Sequence, residues 1–139
     1  MISNDEFYNN FVIFSTENKK YIRYIFTNIH CYFDDNHELN YDNNKVHVEH
    51  IMPQNIDSTD WDLDPDTHEK YLWRLGNLAL LAEKLNKKAS NRTFEEKKQQ
   101  YAQSLIKPNQ DLVKYSKWTP REIEERQKNL ADVALKIWC

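Results

Sequence analysis

Apolar residues recur at helical spacing towards both ends of the chain and alternate only in its middle. Phe7, Phe11 and Phe14 fall at i, i+4, i+7, as do Ile22, Phe26 and Ile29. This spacing marks one face of a helix and predicts helices over 6–14 and 19–33, with Ser15–Asn18 between them. Residues 34–44 are polar and turn-like and read as a loop. From Lys45 to Ile51 the pattern changes to alternation: Val46, Val48 and His50 on one face, His47, Glu49 and Ile51 on the other. That is a short strand, ended by Pro53. An acidic loop follows over 54–64. Asp64-Pro65 then places an N-cap acid before a proline at the first helical position, and predicts a helix through Trp73 that stops near Gly76.

The run Asn77–Leu81 (NLALL) reads as a second strand and 82–88 as a brief helix. Thr93-Phe94-Glu95-Glu96 has capping-box features and opens a helix to about Ile106, where Pro108 breaks it. Thr119-Pro120-Arg121-Glu122 opens the last helix, whose stripe is Ile123, Leu130, Val133, Ala134 and Ile137. The expected fold is mainly α with a small central two-stranded β element. It is read as one domain over 1–139, with N-terminal helices at about 5–33, a core at about 45–92 and C-terminal helices at about 93–138.

Composition narrows the chemistry. A chain of 139 residues is one domain in size. Its single glycine, Gly76, excludes a P-loop and a GxGxxG dinucleotide fingerprint. Two cysteines, Cys31 and Cys139, supply neither a disulfide framework nor the CxxC pairs of a structural zinc site, and read as reduced thiols. No apolar run approaches the ~20 residues of a membrane span. Residues 1–10 carry acids and asparagines where a signal peptide needs a basic start and an apolar stretch. The expectation is a cytoplasmic protein with no membrane partner.

The net charge of −3 hides a split. Residues 1–64 hold 4 basic and 12 acidic side chains, whereas 65–139 hold 15 basic and 10 acidic. The densest basic stretch is Lys84, Lys87, Lys88, Arg92, Lys97 and Lys98. Such a stripe is either a nucleic-acid footprint or the solvated face of a helix.

The chemistry-bearing segment runs from Glu49 to Asn91. Hydrolysis of a phosphodiester needs a base for the attacking water, and histidine titrates near neutrality. It also needs positive charge at the phosphoryl and leaving oxygens, which a hard divalent ion supplies from oxygen ligands such as carboxylates and amide carbonyls. Glu49 and His50 are strand neighbours that begin on opposite faces, and a strand end would let both frame one phosphate. Asparagine amides further along could complete a metal site or accept from one imidazole N–H.

These residues resemble the HNH, or His-Me finger, nuclease motif of two strands and a helix around one metal ion. Asn77 and Asn86 stand nine apart, similar to the two asparagines in the HNH domain of CRISPR effector nucleases. More narrowly, EHIMPQ, RLGNLALL, LNKKASN, FEEKKQQY, WTPREIEER and a final LKIW resemble the C-terminal nuclease domain of the GmrSD family of modification-dependent restriction systems, over roughly residues 20–139. The resemblance implies a ββα-metal core and nicking of DNA. His50 would be the general base and Asn77 would orient it. Glu49 and Asn86 would hold Mg²⁺, with Mn²⁺ as the other candidate ion, and Asn91 competes with Asn86 for that role. Lys88, Arg92 and Lys97 would hold the DNA backbone. The implied partners are DNA, including base-modified foreign DNA, and a separate nucleotide-hydrolysing domain or subunit of N-terminal type. A fragment, one subunit of a split system and a free-standing nuclease all fit that pattern. The alternatives are a catalytically weak DNA-binding or docking module, a structural subunit that places an ATPase or GTPase partner, and action on RNA.

Overall fold

The computed structural model describes residues 2–34, 45–56, 61, 63–89 and 92–139. Among these the chain is mainly helical, with one two-stranded antiparallel sheet. The helices are α1 (Asn4–Phe11), α2 (Lys19–Phe33), α3 (Pro65–Leu72), α4 (Glu83–Ala89), α5 (Phe94–Ala102), α6 (Lys107–Gln110) and α7 (Pro120–Trp138). The strands are β1 (Val46–His50) and β2 (Leu78–Ala82), with Val48 opposite Leu80 and His50 opposite Leu78.

Helix starts follow local chemistry. Asn18 accepts from the backbone of Lys20 and Tyr21 and opens α2 at the expected residue. Asp64 accepts from Thr67 N at the head of α3, with Pro65 at the first position. Thr119 and Glu122 form a capping box on α7.

Three expectations change. The first helix ends at Phe11 rather than 14, because the chain beyond it turns extended. Ser15 bridges Arg74, Thr16 N donates to Trp73 O at 3.1 Å and Leu75 N to Phe14 O at 3.2 Å, so Phe14 is left exposed. The helix expected to reach Ile106 ends at Ala102. Pro108, read as a breaker, instead sits in the first turn of the short α6, where a missing N–H costs nothing. The loop read over 34–44 falls outside the described residues from 35 onwards, as do 57–60 and 62 of the acidic loop.

The sheet separates two apolar layers. Val46, Leu78 and Leu80 pack with Phe11, Ile22, Phe26, Ile29, Leu130 and Ala134 on one side. Leu81 packs with Ile51, Trp61, Tyr71, Tyr101, Leu112, Trp118 and Ile123 on the other. Asn77 O and Glu83 N, just outside β2, both bond towards β1 and its flank, so the alternate carbonyls of Leu78 and Leu80 point away from it. Among the described residues no third strand meets those two carbonyls. The buried Arg126 donates from Nη1 to Leu78 O at 2.6 Å and to Gly76 O at 3.0 Å, and the buried Asn109 donates to Leu80 O at 2.5 Å.

α7 also carries a fully buried Gln127. Its Oε1 accepts from Gly76 N at 3.1 Å and Arg74 Nε at 3.0 Å, and its Nε2 donates to Phe11 O and Phe14 O at 2.8 and 2.9 Å. One amide thus ties the end of α1 and the turn before β2 to the last helix, with each of its hydrogen-bonding positions used.

Candidate active site

β1 ends at His50, and the chain after it is pinned residue by residue. Ile51 N donates to Asn77 O at 2.9 Å. Met52 N donates to Asn77 Oδ1 at 2.8 Å, and Asn77 Nδ2 donates back to Met52 O at 3.1 Å. Pro53 O accepts from His68 Nε2 at 2.8 Å. This clamp fixes the strand end, and with it the cleft of about 390 Å³ lined by Val48, Glu49, His50, Pro53, Gln54, Asn86 and Lys87. Glu49 and His50 leave β1 on opposite faces, yet both border this cleft.

His50 is buried, and its ring meets the Trp73 indole edge-on with centroids 4.4 Å apart. Nε2 is buried with no hydrogen-bond partner among the described residues. Burial above all, then the positive charge of Lys97 and the nearby Lys19 and His68, pushes the imidazole down to about 4. The ring is therefore neutral at pH 7 and keeps one nitrogen able to accept a proton. If the ring takes a proton during turnover, the acid limb of the pH–rate profile lies near pH 4 rather than 6.5. Activity should persist through pH 6 and fall as pH drops through the folded-state value; a limb centred at 6.5 in single-turnover rates would contradict this assignment.

Glu49 is 4% exposed and turns towards α4 and α5. Its Oε2 accepts from Tyr101 OH at 3.1 Å and Lys97 Nζ at 3.4 Å, and its Oε1 from Asn86 Nδ2 at 3.4 Å. Burial raises the carboxyl, opposed by Lys97 and the Tyr101 hydroxyl, while burial lowers the Lys97 ammonium, opposed by Glu49. The charge of each group thus opposes the shift that burial imposes on the other.

Asn77 and Lys97 make different contacts from those the resemblance implies. Asn77 is fully buried, and its side chain bonds to the backbone of Met52 and Leu72 and to Trp118 Nε1. It fixes the turn that follows His50 and makes no bond to the imidazole. Lys97 is 0% exposed, so it offers no contact to a DNA backbone. It donates instead to Glu49 and, at 2.8 Å, to His50 O. The basic stripe therefore divides. Lys84, Lys87 and Lys88 are exposed on α4, Arg92 is exposed beside Glu96 at 3.1 Å, and Lys98 is half-buried beside Glu95 at 2.9 Å. Asn91 lies outside the described residues.

Lys87, which the sequence marks only as part of the basic stripe, and Gln54 and Tyr101 are not among the site residues that the sequence singles out. The signal for Tyr101 was present: Phe94, Lys97 and Tyr101 fall at i, i+3, i+7, the buried face of α5. A lysine between two buried aromatics needs a carboxylate partner.

Among the described residues no group of three or more His, Cys, Asp or Glu side chains stands ready to hold a metal ion. What the cleft offers is one carboxylate oxygen, Glu49 Oε1, and the Asn86 amide beside it. Which amide atom faces the carboxylate is a choice of flip, since oxygen and nitrogen exchange by a half-turn. That donor set suits a hard oxygen-seeking divalent ion completed by waters and phosphate oxygens. No described helix is long and apolar enough to cross a membrane.

In comparison with known proteins, the family model described as GmrSD restriction endonucleases, C-terminal domain, matches residues 1–133. A search of curated proteins finds no match.

Proposed function

Because the chain belongs to the family of GmrSD restriction endonuclease C-terminal domains, we propose that it is a metal-dependent DNA endonuclease of the HNH, or His-Me finger, type. The observation that carries this reading is the convergence of His50, Glu49 and Asn86 on one cleft at the end of β1. β1 supplies Glu49 and His50 and α4 supplies Asn86, with β2 paired to β1 and leading into α4, an arrangement that supports a ββα core. The role is defence against foreign DNA, including base-modified DNA.

In this reading His50, in its neutral form, accepts a proton from the attacking water. Burial against Trp73 keeps the ring neutral and ready to do so. Glu49 Oε1 and the Asn86 amide hold a divalent ion, Mg²⁺ or Mn²⁺. When bound, that ion supplies positive charge at the phosphoryl and leaving oxygens. Lys97 and Tyr101 hold the far oxygen of Glu49 so that Oε1 faces the cleft. Asn77 keeps the strand end in place through Ile51 and Met52. Lys87 on the cleft wall and the exposed Lys88 and Arg92 engage the DNA backbone by charge. One such cleft cuts one strand, so the first product is a nick.

The test is cleavage of supercoiled plasmid and of base-modified phage DNA, with Mg²⁺ or Mn²⁺ and with EDTA. Open-circle product that needs the ion is expected before any linear product. A folded chain that binds DNA and leaves the plasmid intact in both metals would establish a binding module instead. Preference for the modified DNA would place recognition within this chain, and equal cleavage of both would place it elsewhere.

A further inference from the structure

We propose that Lys97 is a fixed counter-ion to Glu49 and makes divalent-cation binding at the cleft conditional on a DNA phosphate. The inference rests on the reading of Glu49 and Asn86 as the pair that holds the ion. It concerns what that pair lacks by itself.

Lys97 is fully buried, and its ammonium is fixed by two acceptors, Glu49 Oε2 at 3.4 Å and His50 O at 2.8 Å. The second bond is to backbone and holds the ammonium beside Glu49 independently of the carboxylate. The single negative charge of Glu49 is therefore already matched. Asn86 is neutral, and Lys87 on the cleft wall stands 3.5 Å from the Glu83 carboxylate, which matches its charge. Among the described residues no other acidic side chain lines the cleft. A divalent ion entering this cleft alone meets, among the described residues, no uncompensated negative charge, and the buried Lys97 ammonium beside Glu49 repels it with little screening. A phosphodiester brings the missing charge to the place where the ion is needed. Cation and DNA should then bind as a linked pair, each raising the affinity of the other by the same factor. The arrangement would keep the site from loading its ion until a substrate is in position.

The probe is Mn²⁺, followed by the free-ion signal in electron paramagnetic resonance. The full chain carries His50→Ala to prevent cleavage, and duplex-only blanks correct for ions held by DNA. Adding a short DNA duplex is expected to tighten Mn²⁺ binding by about tenfold or more. Glu49→Gln should remove that gain. Lys97→Gln keeps a donor for the His50 carbonyl but drops the charge. It should bind Mn²⁺ without DNA about tenfold more tightly and lose most of the response to DNA. Lys97→Arg should behave as the parent does. Equal Mn²⁺ affinity with and without duplex overturns the proposal whether or not the Lys97 variants fold, as does a Lys97→Gln chain with unchanged coupling. Nicking by the chain with His50 intact is scored separately. Coupled, Glu49-dependent Mn²⁺ binding without nicking sinks the nuclease reading and leaves the role of Lys97 standing. No Glu49-dependent binding in either condition sinks both.

Discussion

Replacing His50 with alanine is expected to slow DNA nicking by about 10²–10⁴-fold, the range in which a positioned base contributes to a proton transfer. The argument runs from geometry. The imidazole sits at the end of β1, on the wall of the cleft it shares with Glu49 and Asn86, and its neutral form is the one present at pH 7. Alanine removes the acceptor and leaves the backbone alone, so Lys97 still donates to the carbonyl of residue 50. The ring also packs against Trp73, and its loss should cost about 1–2 kcal/mol of stability. The measurement therefore pairs single-turnover nicking with thermal unfolding and DNA binding. A folded variant that binds DNA normally and nicks within tenfold of the parent would show that His50 is not the base.

The second large effect is expected from Gly76→Ala, which should destabilise the chain by more than about 3 kcal/mol. A methyl built on this glycine would stand 2.1 Å from Ile123 O and 3.1 Å from Gln127 Cβ. The first obstacle is helix backbone, which cannot rotate aside as a side chain can. α7 would have to move, and with it the Gln127 bond to Gly76 N and the Arg126 bond to Gly76 O. Those groups would be left buried without partners, each at about 1–3 kcal/mol. Urea unfolding followed by far-ultraviolet circular dichroism measures the loss. A midpoint shift worth less than about 1 kcal/mol would mean that the contact relaxes cheaply.

These two residues show what the sequence could and could not convey. The order of helices and strands was legible because it is written in apolar spacing and in caps, both local. Ile22, Phe26 and Ile29 mark α2, alternation marks β1, and Thr119-Pro120 marks α7. Glu49, His50 and Asn86 were legible by resemblance, and the fold brings them to one cleft. The buried polar joints were not. Arg126 and Gln127 fall among the stripe residues of α7, yet their partners lie up to 116 positions away in sequence. Gly76 read as a turn signal, while its actual requirement is the close passage of α7. Lys97 read as part of a basic stripe because charge counting carries no depth. Only its neighbours on the face of α5 reveal that it is inside.

The two carbonyls of β2 that point away from β1 have a consequence for how this chain fails. Leu78-Ala79-Leu80-Leu81-Ala82 is short, apolar and uncharged, which is the composition that seeds pairing between chains. Its outer edge is shut by side chains, Arg126 from α7 and Asn109 from α6. The seal lasts only while those helices stay docked. Partial opening of α7 exposes a ready template for another copy before the rest of the molecule has come apart. Loss of the protein on heating should then be governed by the rate at which one helix lifts, with self-association capturing the opened form.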